Sequence, residues 1–338
     1  MMYRWLRQGL FQLEPERAHD LALAGMHISA KLGLLKTLFP PPADRPVELM
    51  GLRFKNPVGL AAGLDKNGDH IETMAALGFG FIEVGTVTPR PQPGNAKPRL
   101  FRLTNHDALI NRMGFNNKGV DHLVENLKTA QFDGIIGANV GKQKDTPLER
   151  AADDYCYSIR KVYPHCDYIA VNISSPNTAG LRELQHHSHL KTLLSALVQV
   201  RDELAQTHGK HRPVLIKIAP DWAADALVEA LELMAASGID GLIATNTTIE
   251  RDSVASDRHA SQAGGLSGPP LTALANQTLS VARRVVGDQF PIIGVGGIDT
   301  AQAALDKKAC GADLVQIYTG LIYQGPALIS QCVNAWPE

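Results

Sequence analysis

The chain has 338 residues, of which 44% are hydrophobic and 20% are charged. This composition is typical of a globular protein with a substantial core, and it excludes a disordered or fibrous chain. The 33 basic and 34 acidic residues give a formal net charge of -1, so we expect no nucleic acid partner. The length fits one large α/β barrel with a small appendage.

Cysteine placement and hydropathy favour a reducing, cytoplasmic setting. The four cysteines form no C-x-x-C pair, so neither a zinc site nor a disulfide framework is predicted. Gln12, Glu14 and Glu16 interrupt the apolar stretch that starts at Met1, which argues against a secretory signal. No apolar run reaches the roughly 18 residues of a membrane span.

The predicted elements begin with a helical segment that differs from the rest of the chain. Residues 3–13 are predicted to form a short helix, Pro15 opens a second one, and the run Pro40-Pro41-Pro42 ends the segment. We therefore predict a helical extension over 1–40 and a main domain over 41–338. The extension is amphipathic and weakly basic. Composition favours cap helices packed on the main domain, and the alternative is an interfacial pad that admits a lipid-soluble substrate.

Eight short apolar runs follow the extension. Near-continuous hydrophobicity is expected of strands that are buried on both faces of a parallel sheet, and helix-like stretches such as 190–204 and 222–236 separate them. A doubly wound sheet is the alternative, but eight units favour closure, and no G-x-G-x-x-G is present. The predicted fold class is α/β, a (β/α)8 TIM barrel with a small N-terminal helical extension. The predicted strands are 58–62, 81–87, 135–140, 168–173, 214–218, 242–246, 291–295 and 314–318.

Polar and glycine residues cluster directly after these runs, where a barrel places its catalytic face. Lys66 and Lys217 are either rim lysines that reach water or a pair of cations that holds an anionic ligand. The loop at 172–178 carries hydroxyls and amides without an adjacent base, so an ordinary catalytic triad is excluded and a plain turn is the alternative. Glycine turns at 294–297 and 318–320 lie where barrels bind phosphate.

One dense histidine group, His186, His187 and His189, lies at the entry to a predicted helix. It lacks the H-E-x-x-H spacing of a zinc site. A solvated surface cluster is the favoured interpretation, and no metal is predicted.

Seven motifs together resemble the dihydroorotate dehydrogenases, in particular class 2, which is quinone-dependent and membrane-associated. The motifs are Gly63-Leu-Asp-Lys-Asn-Gly68, Gly85-Thr-Val-Thr-Pro-Arg-Pro-Gln-Pro-Gly-Asn95, Asn111-Arg-Met-Gly-Phe-Asn-Asn117, Asn172-Ile-Ser-Ser-Pro-Asn-Thr178, Ala244-Thr-Asn-Thr-Thr248, Gly264-Gly-Leu-Ser-Gly268 and Ile293-Gly-Val-Gly-Gly-Ile298. The resemblance runs from residue 11 to residue 320. It implies oxidation of (S)-dihydroorotate to orotate in pyrimidine synthesis, with one non-covalent FMN per chain that accepts a hydride from substrate C6.

The resemblance also implies roles for individual residues. Ser175 matches the base that removes the C5 proton, where the soluble class carries cysteine, and Thr178 is the candidate relay. Lys217 matches the residue beside the flavin, where a cation would stabilise its anionic reduced form. The implied substrate set is Lys66, Asn111, Arg112, Met113, Gly114, Phe115, Asn172, Asn177, Asn246 and Thr247. The implied cofactor set is Ala61, Ala62, Gly63, Thr86, Asn139, Asn172, Lys217, Thr245, Gly268, Gly297, Tyr318 and Thr319, with the last three near the phosphate.

The resemblance reverses the interpretation of the extension. In the quinone-reducing class such helices form a tunnel from the bilayer to the flavin, so His19 and Arg102 become candidate quinone contacts. It implies a monomer bound peripherally to the cytoplasmic side of the cell membrane. The rivals are the soluble class, which reduces fumarate or NAD, a colourless phosphate-binding isomerase or lyase, and a non-catalytic membrane-bound barrel. Ser175 and the extension argue against the soluble class.

Overall fold

Residues 2–178 and 180–337 are described by the computed structural model, in which helices surround a closed sheet. The strands, in chain order, are β1 (Val47–Leu49), β2 (Leu52–Phe54), β3 (Val58–Leu60), β4 (Phe81–Val87), β5 (Leu100–Leu103), β6 (Ala108–Asn111), β7 (Ile135–Val140), β8 (Tyr168–Asn172), β9 (Val214–Ile218), β10 (Gly241–Ala244), β11 (Gly265–Ser267), β12 (Ile292–Val295) and β13 (Leu314–Ile317). The helices are α1 (Met2–Leu10), α2 (Pro15–Lys31), α3 (Leu34–Leu38), α4 (Ile71–Ala75), α5 (Val120–Thr129), α6 (Ala151–Val162), α7 (His187–His208), α8 (Ala224–Ser237), α9 (Thr272–Val286), α10 (Ala301–Ala309), α11 (Thr319–Gln324) and α12 (Ala327–Ala335).

The barrel consists of β3, β4, β7, β8, β9, β10, β12 and β13, and each strand is parallel to its neighbours. The last strand, β13, pairs with the first, β3, through the register Val315↔Val58, so the barrel sheet has no free edge. All seven residues of β4 and all five of β9 are buried, as expected where helices cover the outside and side chains fill the inside. The predicted (β/α)8 fold is confirmed, and each predicted strand coincides with a barrel strand.

The amino-terminal end of the barrel is packed with aromatic side chains. The rings of Phe54 in β2 and Phe81 in β4 meet edge to face, with centroids 5.2 Å apart, and Tyr168 lies beyond them. Gly59 makes room for this cluster, because a Cβ atom there would lie 2.3 Å from the Phe81 ring. The β1–β2 hairpin covers the same end, so the space for ligands lies at the opposite, carboxyl end of the strands.

A second, three-stranded antiparallel sheet lies beside the carboxyl end. It has the order β11-β6-β5, with Gly265 paired to Asn111 and Ser267 paired to Leu109. This sheet and the β1–β2 hairpin are absent from the sequence-based prediction. The pairing places Asn111 and Ser267 close to the mouth of the barrel.

The N-terminal helices pack on the rim of the barrel. The Tyr3 hydroxyl donates to the Ile322 carbonyl at 2.7 Å, and Arg7 Nη1 donates to the Tyr323 carbonyl at 2.6 Å, which ties α1 to α11. Helix α2 begins at Pro15, as predicted, and the Glu14 side chain caps its first backbone N–H groups. Among the described residues no helix is both long and apolar enough to cross a bilayer.

A buried ion pair joins α2 to the strand β5 segment. Arg99 Nε donates to Glu16 Oε1 at 2.7 Å and Arg99 Nη2 to Glu16 Oε2 at 3.2 Å, and both residues are under 9% exposed. Burial acts to raise the pKa of Glu16, but the hydrogen bonds from Arg99 and Lys97 outweigh it and lower the pKa below its ordinary value. The charged pair therefore holds the extension against the rest of the chain.

We predict that Glu16→Ala lowers the free energy of unfolding by about 3 to 5 kcal/mol, because it leaves the Arg99 guanidinium buried without its partner. The folded-state pKa of Glu16 is lowered, so its contribution is complete above the ordinary value of 4.5 and is lost as the pH falls through the folded-state pKa. The difference between wild type and variant should therefore shrink in acid. Denaturant unfolding monitored between pH 7 and pH 3 measures it.

The matched control is Asp153→Ala, which breaks the exposed ion pair between Asp153 and Arg150. An exposed pair of this kind is worth about 1 kcal/mol or less. Equal losses in the two variants would show that the Glu16 pair does not hold the extension in place.

Candidate active site

A polar cleft opens at the carboxyl ends of the barrel strands. Its walls come from nearly every barrel strand and from the three-stranded sheet. The predicted site residues that line it are Ala61, Ala62, Gly63, Lys66, Thr86, Asn111, Met113, Gly114, Phe115, Asn172, Ser175, Asn177, Lys217, Thr245, Asn246, Thr247, Gly268, Gly297, Tyr318 and Thr319. Residues that are far apart in the sequence are thus brought around one cavity.

Two lysines give the cleft its positive charge. Lys217 is 5% exposed and makes no hydrogen bond or ion pair within the described part of the chain. Burial lowers its pKa, and the Glu83 carboxylate opposes that effect. Burial likewise lowers the pKa of Lys66 to about 8, and the nearby Arg99 charge adds to the shift. Because a buried cation without a partner is costly, the pair suits an anionic ligand.

Ser175 lies in the loop that follows β8 and is 6% exposed. Its Oγ accepts a hydrogen bond from the Asn177 backbone N–H at 3.2 Å. Within residues 2–178 and 180–337 no carboxylate or imidazole hydrogen-bonds to it. Thr178 is buried near the end of the same loop but does not line the cleft.

A row of amides forms the floor of the cleft. Asn246 Nδ2 donates to Asn172 Oδ1 at 3.3 Å and to Ser174 Oγ at 3.0 Å. Asn172 Nδ2 in turn donates to Thr86 Oγ1 at 3.1 Å. On the rim, Asn177 Nδ2 donates to Asn111 Oδ1 at 3.2 Å. These contacts fix the orientation of several donors and acceptors at the cleft surface.

Two predicted contacts lie outside the cleft walls. Asn139 is fully buried one layer below, where its Nδ2 donates to Glu83 Oε1 at 2.7 Å. Arg112 turns away, since its Nη1 donates to Gln262 Oε1 at 2.8 Å and its guanidinium lies 4.6 Å from the centre of the Phe101 ring. Arg112 directly follows Asn111 at the end of β6, so the two side chains point in opposite directions.

The cleft also has wall residues that the sequence analysis did not select. Gln316 in β13 donates through Nε2 to Glu83 Oε2 at 2.7 Å, and its Oε1 is buried without a hydrogen-bond partner among the described residues. Its position as a polar residue inside an apolar strand is the signal that could have identified it in the sequence. Ser267 belongs to the motif Gly264–Gly268 but was given no role from the sequence, and its Oγ accepts from Thr319 Oγ1 at 2.8 Å. The walls also include Val295, Gly296 and Gly320 from the two predicted glycine turns and Ile298 from the last motif, whereas Leu271 lies outside every predicted motif.

Two glycines shape one end of the cleft. Gly297 has φ +79°, and a Cβ atom there would lie 2.0 Å from Thr272 Oγ1. Gly268 has φ +99°, and its Cβ atom would lie 2.7 Å from the Asp107 carbonyl oxygen. Only glycine fits at these positions, and such turns let a phosphate approach the backbone closely.

The donors, acceptors and charges of the cleft define the ligand that fits it. Buried acceptors without a partner, Gln316 Oε1 and Asn177 Oδ1, suit a ring with N–H groups. The ammonium groups of Lys66 and Lys217 can pair with negatively charged groups of a ligand, and the glycine turns can bind a phosphate. The residues present therefore fit an anionic, phosphate-bearing heterocyclic cofactor together with a small anionic substrate.

A second cavity lies between α1, α2 and the barrel. Apolar side chains form most of its walls, and His19 and Arg102 are among the few polar ones. Burial lowers the pKa of His19 to about 4, so its imidazole is neutral at pH 7. Arg102 Nη1 donates to the Leu13 carbonyl at 2.8 Å, which fixes it at the cavity wall. The two cavities share the wall residues Lys66, Asn111, Met113, Ser267 and Tyr318.

The histidine group lies outside both cavities. His186 and His187 are exposed at the start of α7. Among the described residues no three histidine, cysteine or acidic side chains are grouped to hold a metal ion.

Comparison with known proteins agrees with this geometry. The family model described as "Dihydroorotate dehydrogenase" matches residues 46–337. The chain is 54% identical over 336 residues to the "Dihydroorotate dehydrogenase (quinone)" of Vibrio parahaemolyticus, with 99% of each chain covered. It is 52% identical to the protein of the same name from Marinobacter nauticus, over 99% of this chain and 98% of the relative.

Solved structures extend the likeness to three dimensions. The crystal structure of DHODH from Eimeria tenella in complex with ferulenol matches with a TM-score of 0.87 at 35% identity, covering 98% of this chain and 93% of that chain. The ligand-free structure from the same organism matches with a TM-score of 0.85 at 36% identity, covering 95% of this chain and 93% of that chain. The matched regions include the strands and loops that build the cleft, and the chain therefore belongs to the dihydroorotate dehydrogenase family.

Proposed function

We propose that this chain oxidises (S)-dihydroorotate to orotate with FMN as hydride acceptor and passes the electrons to a membrane quinone, in pyrimidine biosynthesis. The observation that carries the proposal is the shared wall between two cavities of different character. One is a polar, positively charged cleft for an anionic substrate, and the other is an apolar cavity for a lipid-soluble acceptor. The word "quinone" in the names of relatives more than 50% identical over 99% of the chain supports the same assignment.

The cleft would hold one FMN per chain without a covalent bond. Gly297, Tyr318 and Thr319 would hold its phosphate, and Lys217 would lie beside its ring. When bound, FMN supplies a two-electron acceptor that takes a hydride from substrate C6 and is reoxidised by quinone. The fixed ammonium of Lys217 then stabilises developing negative charge without reorganisation.

Substrate binding and proton removal would fall to the opposite side of the cleft. Lys66 pairs with the orotate carboxylate, and the amides Asn111, Asn172, Asn177 and Asn246, with Thr247, satisfy its polar atoms. Ser175 Oγ accepts the C5 proton. Because no base contacts this hydroxyl in the described ranges, the proton must pass on, and the buried hydroxyl of Thr178 is the proposed relay.

The extension would admit the quinone. His19 and Arg102 are its polar contacts in the apolar cavity, so residues 1–40 provide access while residues 41–338 carry out the chemistry. Of the ten large hydrophobic residues that are exposed in the described ranges, eight lie between Trp5 and Leu38. This concentration supports peripheral attachment to a membrane, and we propose that the chain lies on the cytoplasmic side of the cell membrane. We further propose that the active unit is a monomer.

We predict that Ser175→Ala retains FMN but slows its reduction by dihydroorotate by about 10² to 10⁴, the usual value of general base catalysis. Anaerobic stopped-flow absorbance measures this step. Ser174→Ala is the control, because Ser174 Oγ contacts the Asn246 amide but does not line the cleft. It should slow reduction by less than about tenfold. An unchanged rate in Ser175→Ala would remove Ser175 from the mechanism.

We also predict that Ala22→Trp lowers quinone-dependent turnover at least about tenfold, because Ala22 lines the apolar cavity and an indole there fills the path. Anaerobic flavin reduction by dihydroorotate should stay at the wild-type rate. The control is Ala24→Trp, since Ala24 is exposed on the same helix and does not line the cavity. If Ala22→Trp slowed both half-reactions equally, the cavity would not be the quinone path.

A further inference from the structure

A carboxylate lies inside the barrel, below the cleft. Glu83 is in the middle of β4 and is fully buried. Its Oε1 accepts from Asn139 Nδ2 at 2.7 Å, and its Oε2 accepts from the Tyr168 hydroxyl at 2.9 Å and from Gln316 Nε2 at 2.7 Å. A buried charge that is surrounded by neutral donors is costly, so its position calls for an explanation.

The carboxylate fixes the direction of a chain of hydrogen bonds. An ionised carboxylate only accepts, so the Asn139 amide nitrogen must face Glu83 and its oxygen must face away. That oxygen accepts from Thr86 Oγ1 at 2.6 Å. Because the Thr86 proton is used there, its oxygen is free to accept from Asn172 Nδ2, at 3.1 Å.

This series of hydrogen bonds ends at the cleft. With its nitrogen engaged by Thr86, Asn172 presents Oδ1 to the Asn246 amide nitrogen at 3.3 Å and to the Ser174 backbone N–H at 3.3 Å. The two ends of an amide have nearly the same size, so packing alone does not choose between its two orientations. The Glu83 carboxylate, which can only accept, begins this series of hydrogen bonds and therefore fixes the orientation of the Asn139 and Asn172 amides.

Glu83 also balances the charge of Lys217. Lys217 is paired with Asn172 in the register of β8 and β9, and it makes no ion pair within residues 2–178 and 180–337. The Glu83 carboxylate raises the pKa of Lys217 against the lowering effect of burial. Two opposite charges therefore share the barrel interior without touching, and a bound cofactor would experience both.

We propose that Glu83 is a positioning residue that orients the amides of Asn139 and Asn172 and supplies the counter-charge to Lys217, thereby setting the midpoint potential of the bound flavin and the affinity for orotate. The inference rests on the proposed function. It assigns a role to a residue that does not line the cleft.

The test is Glu83→Gln, which keeps the size of the side chain and removes its charge. Loss of a negative charge favours the reduced flavin, so the equilibrium between reduced and oxidised flavin should shift at least about tenfold toward reduction, which is about 30 mV for two electrons. Spectroelectrochemical titration measures the potential. Tyr168→Phe is the control, because it deletes one donor to the same carboxylate and keeps the charge, and its shift should stay below about threefold.

A second variant separates orientation from charge and serves if Glu83→Gln does not fold. Glu83→Asp keeps the charge but withdraws the acceptor from Asn139, so the potential should stay near that of wild type while the dissociation constant of orotate rises about tenfold. An unshifted potential in Glu83→Gln, or unchanged orotate affinity in Glu83→Asp, would overturn the inference. Wild-type protein without a reducible flavin would instead overturn the proposed function.

Discussion

The site depends on one constraint, the closure of eight parallel strands into a barrel by the pairing of β13 with β3. Closure of the parallel sheet places the carboxyl ends of all eight strands at the same rim. Lys66, Ser175, Lys217 and Tyr318 therefore line one cleft, although some 250 residues separate Lys66 from Tyr318 in the sequence. The other end is filled by aromatic side chains. The amino-terminal end of the barrel is thus packed with side chains, whereas the carboxyl end carries the polar residues of the cleft.

The extension gives this common fold a second chemical environment. The barrel alone offers a polar cleft, whereas α1 and α2 enclose an apolar cavity against its rim. The ion pair between Glu16 and Arg99 and the contacts of Tyr3 and Arg7 hold the helices there. Because the two cavities share wall residues, a cofactor held in the cleft as proposed would lie next to both of them, as an enzyme with one water-soluble and one lipid-soluble substrate would require.

Sequence reasoning recovered the barrel because strands buried on both faces are near-continuous apolar runs. It missed the β1–β2 hairpin and the sheet of β5, β6 and β11, since strands of three or four residues show no measurable periodicity and the pairing of Ser267 with Leu109 joins distant segments. Most of the predicted site residues line the cleft, but Asn139 lies beneath it against Glu83, and Arg112 turns away toward Gln262. Glu83 and Gln316 were detectable as polar residues inside apolar strands, but their shared network was not.

The central claim is that the barrel mouth holds a flavin that accepts electrons from dihydroorotate. The most direct measurement is the visible absorption spectrum of the purified protein before and after anaerobic addition of dihydroorotate, followed by a quinone. We expect a flavin spectrum that bleaches with dihydroorotate and returns with quinone. A protein that binds no flavin when FMN is supplied, or a flavin that stays oxidised in the presence of dihydroorotate, would contradict it.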